Sequence, residues 1–272
     1  DAGPADTGLG AGSTSAIYPI KMVNEPDGEL GIVFSYDEDG APDEGYYYAT
    51  LAGAVLGGAG DDLLPDRDGA QRFFAGAGAD TADYSGATGR VLADLAADVS
   101  GSAYARFFDE GAGAGDIYDS VEHLTGGAAA DNLRGDSGGN ILSGGGVSDR
   151  LYGRAGDDTL IGGMGADALY GNLGADVMTG GPDAGRRDRY IYFQAADSRP
   201  GEGSRDIITD FVSGEDRIEL RRIDANSLLG HKQGFDFIGE AAFTGTAGEL
   251  GYRHEVGNTI VQADLDGDGR AD

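Results

Sequence analysis

From Gly126 the chain reads GGAAADNLR, GDSGGNILS, GGGVSDRLY, GRAGDDTLI, GGMGADALY, GNLGADVMT: six blocks of nine residues, without a gap, through Thr179. Position 1 is Gly in every block. Position 6 is Asp131, Asn140, Asp149, Asp158, Asp167 and Asp176, and position 8 is Leu133, Leu142, Leu151, Leu160, Leu169 and Met178. One large apolar residue every nine positions fits neither an amphipathic helix nor an alternating strand. It fits a solenoid, in which each repeat buries one apolar side chain against its neighbours. Two blocks then make one coil of turn, strand, turn, strand, with each strand on the last three residues of its block.

The turn chemistry follows from residue type. Gly permits φ > 0 and close backbone approach, so a glycine-rich turn can aim several carbonyl oxygens inward. Asp adds a carboxylate. Carbonyl and carboxylate oxygens are the hard ligands that Ca2+ takes in sets of six to eight. Stacked Asp columns would repel one another without a cation. Composition agrees: Gly supplies 51 of 272 residues, and 19 Lys+Arg against 48 Asp+Glu leave a net charge of −29. The absence of Cys excludes a disulfide scaffold, a thiolate zinc site and a Cys nucleophile. The acidic balance argues against nucleic acid or an anionic membrane as partner. No apolar run approaches the roughly 20 residues of a membrane span.

The blocks follow G-G-x-G-x-D-x-U-x, with U a large apolar residue, and so resemble RTX calcium-binding repeats. The resemblance implies an all-β fold, a right-handed parallel β-roll with a C-terminal β-strand cap, and several Ca2+ ions as cofactors. It also implies that each ion lies between one turn and the turn 18 residues later. The earlier turn would give its position-2 and position-4 carbonyls and its position-6 side chain. The later turn would give its position-1 and position-3 carbonyls and its position-6 side chain. In the main roll, turns 126 and 144 would thus contribute Gly127, Ala129 and Asp131 with Gly144, Gly146 and Asp149. Turns 135 and 153 would contribute Asp136, Gly138 and Asn140 with Gly153, Ala155 and Asp158. Turns 144 and 162 would contribute Gly145, Val147 and Asp149 with Gly162, Met164 and Asp167. Turns 153 and 171 would contribute Arg154, Gly156 and Asp158 with Gly171, Leu173 and Asp176, and the turn at 162 would use Gly163, Gly165 and Asp167 with Gly180 and Pro182.

An earlier pair of turns stands apart. Gly57–Pro65 fits every key position, Ala75–Asp83 fits loosely, and the block between them has lost the pattern. A site there would use Gly58, Gly60 and Asp62 with Ala75, Ala77 and Asp80. These stretches divide the chain into an N-terminal β segment (1–50), degenerate repeats with an insert (51–125), the main roll (126–193) and a capping, secretion-type domain (194–272). Within 1–50, Ala16–Ile20, Leu30–Tyr36 and Tyr46–Tyr48 read as strands, and Asp37–Glu44 as an acidic turn.

From about residue 126 to the end the chain looks like the C-terminal domain of serralysin-type secreted metalloproteases. The family runs on past the last Asp with a further apolar strand. The resemblance implies an extracellular or cell-surface protein and a C-terminal signal read by type I export machinery as partner. A zinc protease would need H-E-x-x-H, and none of His123, His231 and His254 begins that motif. Gly135–Gly139 spells GDSGG, a serine-protease string, but the five residues sit in register as positions 1–5 of a repeat and read as a turn. Asp264–Asp272 matches the start of an EF-hand loop, although flanking strands favour a turn there. Three readings follow: a non-enzymatic secreted calcium-binding RTX protein, the C-terminal module of a larger exported hydrolase, and a surface adhesin or surface-layer component.

Overall fold

The computed structural model describes Ile17–Asn24, Leu30–Tyr36, Tyr46–Thr50 and residues 54–67, 70–96, 111–113, 115–182 and 185–272. The Asp37–Glu44 run lies outside the described residues. The chain forms two compact units, Asp1–Val55 and Leu56–Asp272. In the first, Ile17–Asn24, Leu30–Tyr36 and Tyr46–Thr50 form an antiparallel sheet, with Ile17 opposite Tyr36 and Gly31 opposite Thr50.

The second unit is built on two parallel sheets. One contains, in spatial order, Leu63–Pro65, Thr81–Asp83, His123–Thr125, Ile141–Gly145, Thr159–Gly163, Val177–Thr179 and Ile207–Ile208. The other contains Leu92–Asp94, Asn132–Arg134, Arg150–Ala155, Ala168–Leu173, Arg189–Ile191 and Arg217–Glu219. Successive repeats alternate between the sheets, so strands 18 residues apart in the main roll are neighbours, as in Leu142 opposite Leu160 and Leu151 opposite Leu169. The position-8 residues line up in two columns: Leu64, Ala82, Leu124, Leu142, Leu160 and Met178 on one sheet, Ala93, Leu133, Leu151, Leu169 and Tyr190 on the other. All are between 0 and 4% exposed. This double column is the core, and among the described residues no α-helix covers it.

The insert is spliced out of the stack. Thr81–Asp83 pairs directly with His123–Thr125, so the degenerate repeats and the main roll share one sheet. Within the insert, Leu92–Asp94 starts the second sheet beside Asn132–Arg134. The block with the lost pattern supplies Arg72–Phe74, which pairs with Ile117–Asp119 and buries Phe73 against Tyr118 and Tyr84. At the far end the parallel ladders run on past residue 193. Ile207–Ile208 pairs with Val177–Met178, and Arg217–Glu219 pairs with Arg189–Ile191. Residues read from sequence as cap strands therefore continue the stack. The last sheet is separate: Asp236–Gly239, Glu249–Glu255 and Asn258–Asp264.

Leu151 is fully buried between Leu133 and Leu169, whereas Ile161, one residue past its block's core position, is 37% exposed. Leu151→Ala is expected to destabilise the Ca2+-saturated protein by about 2–5 kcal/mol. Ile161→Ala should change stability by less than about 1 kcal/mol. Denaturant unfolding would check this, and equal losses would show that position 8 is not the core.

Candidate metal centre

Two ladders of carboxylates run along the turn edges. On one edge the backbone N–H of Asp62 donates to Asp80 Oδ1 at 2.8 Å, that of Asp80 to Glu122 Oε2 at 2.9 Å, and those of Asn140 and Asp158 to the Oδ1 atoms of Asp158 and Asp176 at 2.7 and 2.9 Å. Asp176 N–H continues to Asp206 at 3.1 Å. On the other edge Val91 donates to Asp131, Asp131 to Asp149, Asp149 to Asp167 and Asp167 to Asp188, each at 2.7 Å, and Asp188 to Asp216 at 3.1 Å. The position-6 carboxyl thus anchors its turn to the coil before it through one oxygen.

The second oxygen divides the turns into two kinds. In turns 57 and 126 that oxygen accepts its own turn's position-2 N–H, Gly58 to Asp62 and Gly127 to Asp131, and in turn 135 the single amide oxygen of Asn140 accepts that of Asp136. In turns 75, 144, 153 and 171 position 2 is instead left-handed, with φ 102° at Gly76, 100° at Gly145, 85° at Arg154 and 68° at Asn172, as it is at Gly163 of turn 162, with φ 106°. In those same four turns the Oδ2 atoms of Asp80, Asp149, Asp158 and Asp176 are buried and accept no hydrogen bond. Buried carboxylate oxygens without donors are costly unless a cation faces them. Burial is the chief cause that pushes Asp149 up to about 8, Asp158 to about 7 and Asp176 to about 6. It also raises Asp131, against the opposing hydrogen bonds from Val91 and Gly127.

Backbone oxygens crowd the same places. A Cβ on Gly126 would lie 2.5 Å from both Asp131 Oδ2 and Gly144 O. Likewise a Cβ on Gly57, Gly135, Gly144, Gly153 or Gly162 would fall within 3 Å of its own position-6 side chain and of the position-1 carbonyl of the coil above: Ala75, Gly153, Gly162, Gly171 or Gly180. Position-2 carbonyls of Gly58, Gly127, Gly145 and Gly163 are approached as closely by the next coil's position-2 glycine. Position-4 carbonyls of Gly60, Gly138, Val147 and Gly156 meet the next coil's position-4 glycine in the same way. Each cradle is therefore lined by hard oxygens and too tight for a side chain, which fits Ca2+. The side chains of Met164 and Leu173 are 62 and 41% exposed, leaving only their backbones to face the stack.

Position 4 departs from uniformity. Gly60, Gly156, Gly165 and Gly174 are left-handed, Val147 joins them at φ 57°, but Ala129 and Gly138 do not. A β-branched residue in that region carries about 1–3 kcal/mol of strain. Arg154, left-handed at position 2, sends its guanidinium to both Asp94 carboxylate oxygens at 2.7 Å and to Gly135 O at 2.6 Å.

Four ladder members are missing from the sequence reading: Glu122, Asp188, Asp206 and Asp216. Asp188 follows Asp167 by 21 residues, so three extra residues hid a slot that the nine-residue period would put at Gly185. Asp206 and Asp216 lie beyond the unbroken repeats in stretches that keep part of the register, with Gly201 and Ile208 at positions 1 and 8 around Asp206 and Gly214 and Ile218 at positions 4 and 8 around Asp216; this residual pattern, ahead of strands that continue the sheets, is the signal that would have found them. The GDSGG string is a capped turn, with Gly138 N–H on Asp136 Oδ1. His123 Nδ1 accepts the Ile141 N–H. In the terminal loop Asp264, Asp266 and Asp268 come within 4.8 Å of one another, but both Asp264 oxygens accept backbone N–H groups, from Gly267 and Gly269.

Two expectations follow. The folded metal-free turns bind protons more tightly than the unfolded chain, so the stability this gives is present below about pH 4 and is lost as pH rises through 6 to 8. Circular dichroism in EDTA should therefore show a larger residual folded fraction at pH 5 than at pH 8, where the metal-free chain is largely disordered, while the Ca2+ midpoint, titrated the same way, should fall over the same range. Metal-free stability that rises with pH would contradict the burial of these groups. Second, Val147→Gly is expected to lower the Ca2+ midpoint of folding and Gly156→Val to raise it sharply. Equal midpoints for wild type and Val147→Gly would show that Val147 is unstrained.

Residues 55–82 match the RTX calcium-binding nonapeptide repeat family. A serralysin of Photorhabdus sp. (strain Az29) is 40% identical over 73 residues, 27% of this chain, and the match spans only 14% of that protein's length. Residues 124–272, more than half of the chain, match the peptidase M10 serralysin C-terminal family. The turns, ladders and cradles described above are thus those of a calcium-binding RTX roll, and the chain belongs to the serralysin C-terminal family.

Proposed function

We propose that this chain is a secreted calcium-dependent folding unit, in which Ca2+ bound between stacked turns drives the coil-to-roll transition outside the cell. The observation that carries this reading is the set of buried Oδ2 atoms on Asp80, Asp149, Asp158 and Asp176, which accept no hydrogen bond, with the carbonyls of Gly162 and Gly171 crowding the same places as those of Asp149 and Asp158. Ordering a residue costs about 1–2 kcal/mol, and each nonapeptide offers one large apolar side chain against it. Carboxylates that are buried and unsatisfied add to the deficit. Millimolar external Ca2+ would stabilise the folded state by mass action, whereas low cytosolic Ca2+ would leave the chain unfolded and fit for type I export.

The proposed ligand sets pair turns 57 with 75, 126 with 144, 135 with 153, 144 with 162, 153 with 171 and 162 with 180. That makes about six ions. Position-6 carboxylates and the inward carbonyls of both turns hold each ion. In the last pair Asp188 supplies the carboxylate for the later turn, because its Oδ1 already holds Asp167 N–H.

A second reading has its own observation. The matched serralysin is a much longer protein, so this chain serves equally as the folding and export module of an exported hydrolase. Both readings share the calcium mechanism.

The protein stripped with EDTA is expected to be largely disordered, and to gain β structure on addition of Ca2+ but not Mg2+, whose tight octahedral shell a carbonyl cradle cannot match. Circular dichroism checks this, and overlapping spectra in EDTA and Ca2+ would refute it. Fewer than about four bound ions per chain, counted by elemental analysis of the folded protein, would overturn the ligand sets.

A further inference from the structure

The two outer faces of the roll follow the same repeat grammar but differ in charge. Positions 7 and 9 alternate with the core-facing position 8 and lie on the outer faces, although Asn132, Ala168, Ile191 and Glu219 are buried there by their neighbours. On the seven-stranded sheet the position-7 column reads Leu63, Thr81, His123, Ile141, Thr159, Val177 and Ile207, and neither outward column contains Arg or Lys. On the six-stranded sheet the corresponding column contains Arg150, Arg189 and Arg217 in register, with Ala168 between the first two. The position-9 column beside it holds Arg134, Tyr152 and Tyr170. Tyr152 stacks on Tyr170 at 4.3 Å and Tyr170 on Phe193 at 5.3 Å, with Arg134 over the Tyr152 ring and Arg222 over the Phe193 ring. Including Arg154, six of the chain's 19 basic residues therefore gather on one face of a protein whose net charge is −29. Against them stand Asp94, bound to Arg154, and Glu219, bound to Arg189 and Arg221.

An open groove of about 470 Å3 lies on this face, lined by Arg134, Tyr152, Arg154, Asn172, Leu173 and Gln194. Its polar groups are of two kinds. Guanidiniums bind carboxylates in a planar, two-pronged fashion. The Asn and Gln amides and the Tyr hydroxyl both donate and accept, as sugar hydroxyls require.

We propose that the outer face of the six-stranded sheet binds a linear acidic polysaccharide of the uronate type. The chain would lie along the roll axis, with its carboxylates on the arginine column and its sugar hydroxyls in the groove. Charge complementarity selects the occupant: the stripe is basic and narrow and spans several coils, while the rest of the molecule is acidic and would repel a broad polyanion such as duplex DNA. The proposal is independent of the export route and requires only the folded roll.

The test uses the Ca2+-saturated full chain with hyaluronan, a uronate polymer that can be handled in Ca2+, in calorimetric titrations at low salt. Saturable binding that weakens on the order of tenfold with added salt is expected. The double variant Arg150→Gln/Arg217→Gln, at two exposed positions, should weaken binding at least about tenfold. Thr159→Gln on the opposite sheet should leave it unchanged. Circular dichroism of each variant in Ca2+ separates lost binding from lost folding, and Arg150→Lys provides a second, milder reading at the same site. Absence of binding to hyaluronan, equal binding to neutral dextran, tighter binding to single-stranded DNA, or equal losses from the two faces would each overturn the proposal.

Discussion

The structure depends on one hydrogen bond repeated along each edge: a position-6 carboxyl oxygen accepting the backbone N–H of the same position one coil earlier. It couples three requirements at a single residue. The bond sets the register of successive coils and so brings Leu142 over Leu160 and Leu151 over Leu169. It holds the carboxylate inside the stack, where burial pushes Asp149 and Asp158 far above the usual carboxylate range even though the bond itself lowers them. It also leaves the other oxygen turned toward the carbonyls of the turn. Core, register and metal chemistry are consequently not separable, and a change at position 6 would disturb all three.

Much of this was legible in the chain. Leu or Met at position 8 fixes the core, Gly at position 1 leaves room for the carbonyl of the coil above, and Asp at position 6 names the ladder. Those residues suffice because the roll is quasi-one-dimensional: each coil meets only its neighbours, so a local pattern determines a local contact. The pattern fails where the contact stops being local in sequence. Glu122 follows Asp80 in the ladder 42 residues later, across the insert, and no spacing rule reaches that far. Asp206 and Asp216 belong to turns that keep only part of the glycine pattern, Gly201 and Gly203 in one and Gly214 in the other. Their role is set by the coil they cover.

Backbone conformation was the other hidden variable. Gly at position 4 suggests a left-handed residue, yet Gly138 is not left-handed and Val147 is. The better discriminator is position 2, where Arg154 and Asn172 adopt φ > 0 with no glycine to announce it. At Arg154 the compensation is visible in the fold: a side chain tied to Asp94, 60 residues away in sequence, and to Gly135 O. Sequence periodicity shows which residues occupy equivalent slots, but neighbours outside the period decide what strain a slot can bear.

The ladder has a direction. From Asp131 to Asp176 every position-6 N–H is accepted by a side chain later in the chain, whereas that of Glu122 turns back to Asp80 O, and the last repeats obtain their acceptors from Asp188, Asp206 and Asp216. The stack is therefore a polar filament with unlike ends. Its N-terminal end can grow by adding a coil onto acceptors already in place, while its C-terminal end always presents unanswered donors until the terminal segment arrives. For a polypeptide passing through a pore, the two orders of emergence would be inequivalent. With the C-terminal end leading, each new coil would meet a finished template; with the N-terminal end leading, every coil would wait for the one behind it.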